Sequence, residues 1–308
     1  MNTLRSLWVT CRPYLMFVSG AAALPGLALG RAPISRVLPA FVVLFLSYGL
    51  GQALTDVFQT DTDALSAPER PLVQGAIDKR TVLIASLGGL TACAAVIVWL
   101  SPAAALPAAI AIALLATYTP LKRHWWGGPP WNAAAVALLP LLGRMAGGTG
   151  LAEALADGAV CAAMVSSFGT YAVFVLLGYL KDVEADRATH YNTVAVRFGR
   201  RAAVLCSAAC ATLGLAASAW LVQPRLTDSA GTALWSVGAV ILAGAHVLAW
   251  RSTSDDDAWP GIQASVHGFV AVHLGEAAAI EPRWTSMAWI LFGASIVAMF
   301  RRPVRRQV

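Results

Sequence analysis

Long apolar stretches recur along the whole sequence and constrain its fold more than any other feature. A helix needs about 20 mostly apolar residues to cross a bilayer. Ten segments approach that length: 13–30, 37–57, 81–100, 103–120, 128–147, 158–180, 202–222, 231–250, 260–281 and 285–300. Only 12% of the 308 residues are charged, about half the share of a soluble domain, so the chain has too little polar surface to cover these segments in water. The pattern predicts an all-α, polytopic transmembrane bundle formed as a single domain, 1–308.

The number of spans is nine or ten, because the last two segments are interrupted by Glu276, Glu281 and Arg283. Basic residues predict the orientation of the bundle, since Lys and Arg concentrate in cytoplasmic loops. If the N-terminus is cytoplasmic, the outer loops hold only four of the 22 Lys and Arg residues: Arg31, Arg36, Arg225 and Arg283. Arg144 lies within a span, and all the others lie on the inner side, including Arg305 and Arg306 near the C-terminus. We expect an integral protein of a bacterial plasma (inner) membrane, with a cytoplasmic N-terminus.

Two acidic clusters lie on the predicted cytoplasmic side, each at the end of an apolar segment. The first reads TDVFQTDTD, residues 55–63. If the second span continues as a helix through it, Asp56, Gln59 and Asp63 share one face, and Asp61 points away from them. The second reads KDVEADR, residues 181–187, in which Asp182 and Asp186 are neighbours one helical turn apart. Ionisable groups at membrane helix ends need partners, so the clusters indicate a site.

The chemistry of these side chains suits a metal ion and a phosphate. Mg²⁺ prefers oxygen ligands and commonly bridges carboxylates to substrate phosphates. Basic residues accompany both clusters: Arg70 follows the first, Lys181 adjoins the second, and Tyr118 and Lys122 share a helix face between them. Arg side chains bind phosphate oxygens in a bidentate manner. Together, the residues predict a charge-balanced pocket for an anion at the cytoplasmic mouth of the bundle.

In its order and spacing of motifs, the chain resembles the UbiA superfamily of intramembrane prenyltransferases. That family carries NDxxDxxxD followed by an RP pair, then YxxxK, then a second DxxxD motif. The corresponding residues here are Thr55 to Asp63, Arg70-Pro71, Tyr118 to Lys122, and Asp182 to Asp186. Two positions depart from the pattern, since Thr55 replaces the family Asn and Gln59 replaces the middle Asp. Tyr179 stands where many relatives carry a further acid.

The resemblance implies Mg²⁺-dependent transfer of a prenyl group from an allylic prenyl diphosphate to a small acceptor, which we expect to be aromatic. It implies helices around a central apolar chamber that excludes water from the allylic cation. It also assigns three sets of residues. The expected metal ligands are Asp56, Gln59, Asp63, Asp182 and Asp186. The expected catalytic residues are Arg70, Tyr118, Lys122 and Lys181. The expected cofactor-binding residues are Arg12, Thr55 and Arg123.

Several alternatives remain open from the sequence. The altered first motif is compatible with a terpene cyclase of the same superfamily, which needs no acceptor. A transporter would carry charged residues near span centres and inverted repeats, whereas the acids here cluster at one membrane face. His273 and Glu276, in the ninth segment, suit either acceptor binding or helix packing. The basic residues are dispersed among apolar spans, so we expect membrane lipid but no nucleic acid as a partner.

Overall fold

The computed structural model describes residues 2–225 and 229–302 and shows a helical bundle without β-strands in those residues. Its ten long helices correspond one for one to the ten predicted segments. They are α2 Met16–Gly30, α3 Ile34–Val57, α5 Lys79–Leu100, α6 Ala105–Lys122, α7 Gly128–Ala146, α9 Gly158–Gly178, α12 Arg200–Val222, α13 Ser229–Arg251, α14 Trp259–Ile280 and α15 Thr285–Phe300. Five short helices connect or precede them: α1 Thr3–Thr10, α4 Thr60–Ser66, α8 Leu151–Ala156, α10 Val183–Ala188 and α11 Val194–Phe198. Arg305 and Arg306, assigned above to the inner side, lie outside the described residues.

Eight helices of the described chain are long and apolar enough to cross a membrane, so the protein is an integral membrane protein. The two long helices that miss this standard are α7 and α14, which carry polar residues such as Asn132 and Glu276. Both are packed inside the bundle, where α2 contacts α7 and α14, and α9 contacts α7 and α12. Their polar side chains therefore face other helices instead of lipid.

Small residues allow the inner helices to approach closely. A Cβ atom on Gly26 of α2 would lie 1.8 Å from the carbonyl oxygen of Pro140 in α7. A Cβ atom on Gly169 of α9 would lie 2.7 Å from the Cα atom of Gly214 in α12. Such contacts are typical of membrane helices, where packing replaces the hydrophobic effect as the force between helices.

Both acidic clusters lie at the same end of the bundle. The short helices α4 and α10, which carry them, contact each other, and the hydroxyl groups of Thr62 and Thr189 are 2.9 Å apart. The helix ends that meet here are the C-terminal ends of α3, α6 and α9 and the N-terminal ends of α5, α7 and α12. The sequence-based prediction of one shared mouth is thus confirmed for the fold, while its cytoplasmic orientation stays a prediction.

Candidate active site

A polar cleft opens at this end of the bundle and contains most of the predicted site residues. Cations of the protein pair with Asp56, Asp63, Asp182 and Asp186, and seven of the eight paired residues are buried, Lys181 being half-buried. The pairs are Arg12–Asp56 at 2.7 Å, Arg70–Asp63 at 2.5 Å, Lys181–Asp182 at 2.8 Å and Lys122–Asp186 at 3.4 Å. Burying an ion is costly unless it is compensated, so this density of charge indicates a binding site more than a stability device.

The first motif does not form one continuous helix, and this corrects the helical spacing assumed from the sequence. Helix α3 ends at Val57, Gln59 is non-helical with φ −116°, and α4 begins at Thr60. The break gives α4 an N-terminal turn that contains Asp61 and Asp63, where carboxylates favour the positive end of the helix dipole. Asp56, Gln59 and Asp63 nevertheless line the same cleft.

Arg12 reaches the first motif from the start of the chain. Its backbone adopts the left-handed conformation, φ 48°, between α1 and a short 3₁₀ helix at Pro13–Leu15. One guanidinium nitrogen donates to both oxygens of Asp56 at 2.7 Å, and another donates to the side-chain carbonyl of Gln52 at 2.8 Å. A strained backbone of this kind costs of order 1–3 kcal/mol, and it is tolerated where surrounding contacts fix it.

The pKa values of the first motif reflect burial and opposite charge. Burial raises the pKa of Asp63, and the guanidinium of Arg70 opposes that rise. Burial acts to lower the pKa of Arg70, but the carboxylates of Asp63 and Asp56 outweigh it and raise the pKa above its usual value. Arg70 therefore stays charged and is available to an anion.

The second motif follows the end of α9. Burial acts to raise the pKa of Asp182, yet the ammonium groups of Lys181 and Lys122 outweigh it and hold that pKa below its usual range. Burial raises the pKa of Asp186 to about 6, against the effect of Lys122. Asp186 is fully buried, does not line the cleft itself, and neither of its carboxylate oxygens accepts a hydrogen bond within the described chain. A buried carboxylate in this condition fits a cation ligand.

Lys122 occupies the last turn of α6, between the two motifs. Its ammonium donates to the side-chain oxygen of Gln59 at 3.0 Å and lies 5.4 Å from the centre of the Tyr179 ring. The hydroxyl of Tyr179 lies 3.2 Å from that of Tyr118, so both tyrosines border the same space. The Gln59 oxygen proposed for a metal is thus in contact with Lys122 in this structure.

Of the predicted cofactor-binding residues, Arg12 and Thr55 line the cleft and Arg123 does not. Thr55 lines the cleft, but its hydroxyl donates to the backbone carbonyl oxygen of Gln52, on the same helix, at 2.9 Å. Arg123 does not line the cleft. It pairs with Asp61 at 2.9 Å, and both side chains are more than 40% exposed. Asp61 points away from the cleft, as the sequence predicted.

An apolar chamber adjoins the polar cleft. It lies between α3, α5, α6 and α7 and reaches Tyr171 of α9. The residues that line both spaces are Gln52 and Asn132. Neither residue is among the site residues predicted from the motifs. Gln52 lies one helical turn before Asp56, and Asn132 is an amide within an apolar segment, so both signals were present in the sequence.

No three acidic, imidazole or thiol side chains in residues 2–225 and 229–302 come close enough to form a metal site by themselves. Mg²⁺ does not require such a cluster, because it commonly uses one or two carboxylates and completes its shell with water and substrate phosphate. The carboxylates of the two motifs lie on two facing segments, and that of Asp186 accepts no hydrogen bond within the described residues. This arrangement fits the requirement of Mg²⁺.

His273 and Glu276 belong to a different network, away from the cleft. Glu276 is fully buried and accepts hydrogen bonds from His273 at 2.7 Å, from Ser166 at 2.5 Å and from Ser218. The other ring nitrogen of His273 lies 3.0 Å from the hydroxyl of Thr170. This network joins α9, α12 and α14 and favours the helix-packing alternative.

Comparison with known proteins relates this geometry to a family. The model of the UbiA prenyltransferase family matches residues 15–269. A digeranylgeranylglyceryl phosphate synthase of Natronomonas pharaonis is 29% identical over 262 residues, which cover 83% of this chain and 90% of that protein. A protein of the same name from Thermococcus gammatolerans is 33% identical over 215 residues, covering 67% and 73% of the two chains.

Solved structures show the same fold. The apo structure of a UbiA homolog from Aeropyrum pernix K1 has a TM-score of 0.71 at 19% identity, covering 92% of this chain and 98% of that one. A UbiA homolog from Archaeoglobus fulgidus, bound to DMAPP and Mg²⁺, has a TM-score of 0.61 at 15% identity, covering 96% and 98%. The chain belongs to the UbiA prenyltransferase family.

Proposed function

We propose that the protein transfers a prenyl group from an allylic prenyl diphosphate to a small acceptor, with Mg²⁺ as cofactor. The observation that carries this proposal is that a cleft of paired charges adjoins an apolar chamber and shares Gln52 and Asn132 with it as wall residues. An allylic prenyl diphosphate has the matching two halves, a highly charged head and an apolar tail.

We propose the following roles for the chain's own residues in this reaction. Arg12, Arg70, Lys122 and Lys181 would bind the diphosphate oxygens and stabilise the charge that develops as the leaving group departs. Asp56, Asp63, Asp182 and Asp186 would hold Mg²⁺, with the Gln59 oxygen as a neutral candidate ligand. When bound, Mg²⁺ supplies Lewis-acid stabilisation of the diphosphate. The apolar walls of the chamber would exclude water from the allylic carbon and protect it from hydrolysis.

In the transfer step, the bond between carbon 1 and the diphosphate oxygen breaks, and its electron pair goes to the diphosphate. The acceptor's nucleophilic atom forms the new bond to carbon 1. The proton lost by the acceptor can pass to the departing diphosphate, which is basic and adjacent.

The names of the relatives change the acceptor that we expect. The matching curated proteins are named for a glyceryl phosphate, not for an aromatic compound. We therefore propose an alcohol of the glyceryl phosphate type in place of the aromatic acceptor predicted from the sequence. These relatives come from archaea, so the bacterial membrane predicted above also stays a prediction.

The test is product analysis by mass spectrometry after incubation of purified protein with Mg²⁺ and geranylgeranyl diphosphate. Parallel reactions contain geranylgeranylglyceryl phosphate, a hydroxybenzoate or no acceptor. We expect a prenylated glyceryl phosphate. A cyclised hydrocarbon formed without acceptor would instead support the cyclase alternative, and no product under any condition would contradict the proposed function.

A further inference from the structure

We propose that Asn132 and Gln52 form the subsite that holds the acceptor's hydroxyl group against carbon 1 of the prenyl donor. This inference rests on the proposed function. It starts from the location of the reacting carbon, which joins the charged head of the donor to its apolar tail. If the head occupies the polar cleft and the tail the apolar chamber, carbon 1 lies where these spaces meet. Gln52 and Asn132 line both spaces.

The two amides have hydrogen-bonding capacity that the protein does not use. Asn132 is 6% exposed, and its side chain makes no hydrogen bond to any residue in 2–225 or 229–302. Gln52 accepts from Arg12 at 2.8 Å, which fixes its carbonyl and leaves its N–H groups without a partner in the same part of the chain. Gln52 is half-buried, whereas Asn132 is buried. A buried amide normally has partners, so Asn132, which has none at a cavity wall, indicates a ligand.

Their chemistry suits an alcohol acceptor. The carbonyl of Asn132 can accept the hydrogen bond of a hydroxyl, which orients the oxygen lone pair, and an N–H of Gln52 can donate to the same oxygen. Both groups are neutral. A carboxylate at this position could form a bond with the allylic cation, whereas an amide can lie beside it without trapping it. The subsite therefore orients the nucleophile, while proton removal is left to the diphosphate.

Gln52 and Asn132 lie on different helices, which would fix the position of the acceptor hydroxyl from two sides. Gln52 lies on α3, one turn before Asp56, and Arg12 connects it to the diphosphate end of the cleft through the Asp56 ion pair. Asn132 lies in the first turns of α7, directly after the loop that follows Lys122. The acceptor would therefore be held by one residue from α3 and one from α7, on two different walls of the cleft.

The experiment compares Asn132→Leu and Gln52→Met with the wild type and with Asn192→Leu, a matched change at an exposed position. Rates of prenyl transfer to geranylgeranylglyceryl phosphate and of diphosphate release are measured in parallel, with binding of geranylgeranyl diphosphate measured separately. We expect at least a tenfold loss in kcat/KM for the acceptor in both variants. We also expect donor binding within about twofold of wild type and a larger share of diphosphate released without transfer. Asn192→Leu should match wild type.

Wild-type acceptor kinetics in Asn132→Leu would overturn the inference. A loss of donor binding as large as the loss in kcat/KM for the acceptor would also overturn it. Thermal denaturation in detergent identifies a variant that has lost its fold. Asn132→Asp, which keeps the shape, then provides the second test: we expect transfer to fall while donor binding is retained, and unaltered transfer would contradict the subsite. A wild-type protein inactive with every acceptor would defeat the proposed function itself, which is a separate outcome.

Discussion

Eight charged side chains meet in or beside the cleft, and each aspartate of the two motifs is paired with a cation of the protein. This arrangement keeps the buried charges compensated before substrate arrives. When Mg²⁺ and the diphosphate bind, the cations can pair with phosphate oxygens and the carboxylates with the metal. Each buried charge then still has a partner of opposite charge. Before substrate binds, the expected metal ligands and the expected diphosphate ligands therefore neutralise each other.

The second motif gives the first prediction. Asp182→Ala and Asp186→Asn should each lower turnover by at least about 10²-fold, as expected for loss of a group that stabilises developing charge. Thermal denaturation should show that both variants remain folded. Asp61→Ala is the matched control, because Asp61 lies on the outer side of the same region and is exposed. Wild-type turnover in both cleft variants would place the site elsewhere.

Gln59 gives the second prediction. Its oxygen lies in the cleft beside Lys122, at the position where the family pattern has an acid. Gln59→Asp adds a negative ligand there, so we expect a lower Mg²⁺ concentration for half-maximal activity. Titration of Mg²⁺ against activity in the two proteins measures this. An unchanged midpoint accompanied by altered products would show that Gln59 contacts the prenyl cation or the acceptor.

At the scale of helices, the buried network of Glu276 connects α9, α12 and α14. Removing its carboxylate would leave several buried donors without an acceptor, which costs about 1–3 kcal/mol for each unsatisfied group. Glu276→Ala should therefore lower Tm clearly, while kcat/KM of the folded enzyme stays within about threefold of wild type. Loss of activity at an unchanged Tm would instead assign Glu276 to acceptor binding.

The helices themselves could be predicted from the sequence, because each needs only a long apolar run. The breaks were less accessible. The left-handed Arg12 separates α1 from the first predicted segment, and a break at Gln59 divides the first motif between α3 and α4. A change of backbone conformation at one residue leaves no periodic signal in the sequence. The placement of Gln52 and Asn132 in the walls of the same two spaces depends on how α3 packs near α7. Pattern alone does not specify such a placement, although most polar residues that line the cleft belong to the motifs.

At the scale of the whole molecule, the ten long helices found in residues 2–225 and 229–302 place both motifs at one end. The distribution of basic residues predicts that this end faces the cytoplasm. Single cysteines introduced at Arg123 and at Arg31, in a background without native cysteines, test this. We expect a membrane-impermeant thiol reagent added to intact cells to label position 31 and not position 123. The reverse pattern would contradict the orientation.

The central claim is that one prenyl diphosphate spans the two spaces, with its head in the cleft and its tail in the chamber. The most direct measurement is a structure of the protein with Mg²⁺ and a non-hydrolysable geranylgeranyl thiodiphosphate. The account predicts diphosphate density beside Arg70 and Lys122, carbon 1 beside Asn132, and the chain extending toward Tyr171. Density for the head outside the cleft, or for the tail along the outer surface of the bundle, would contradict it.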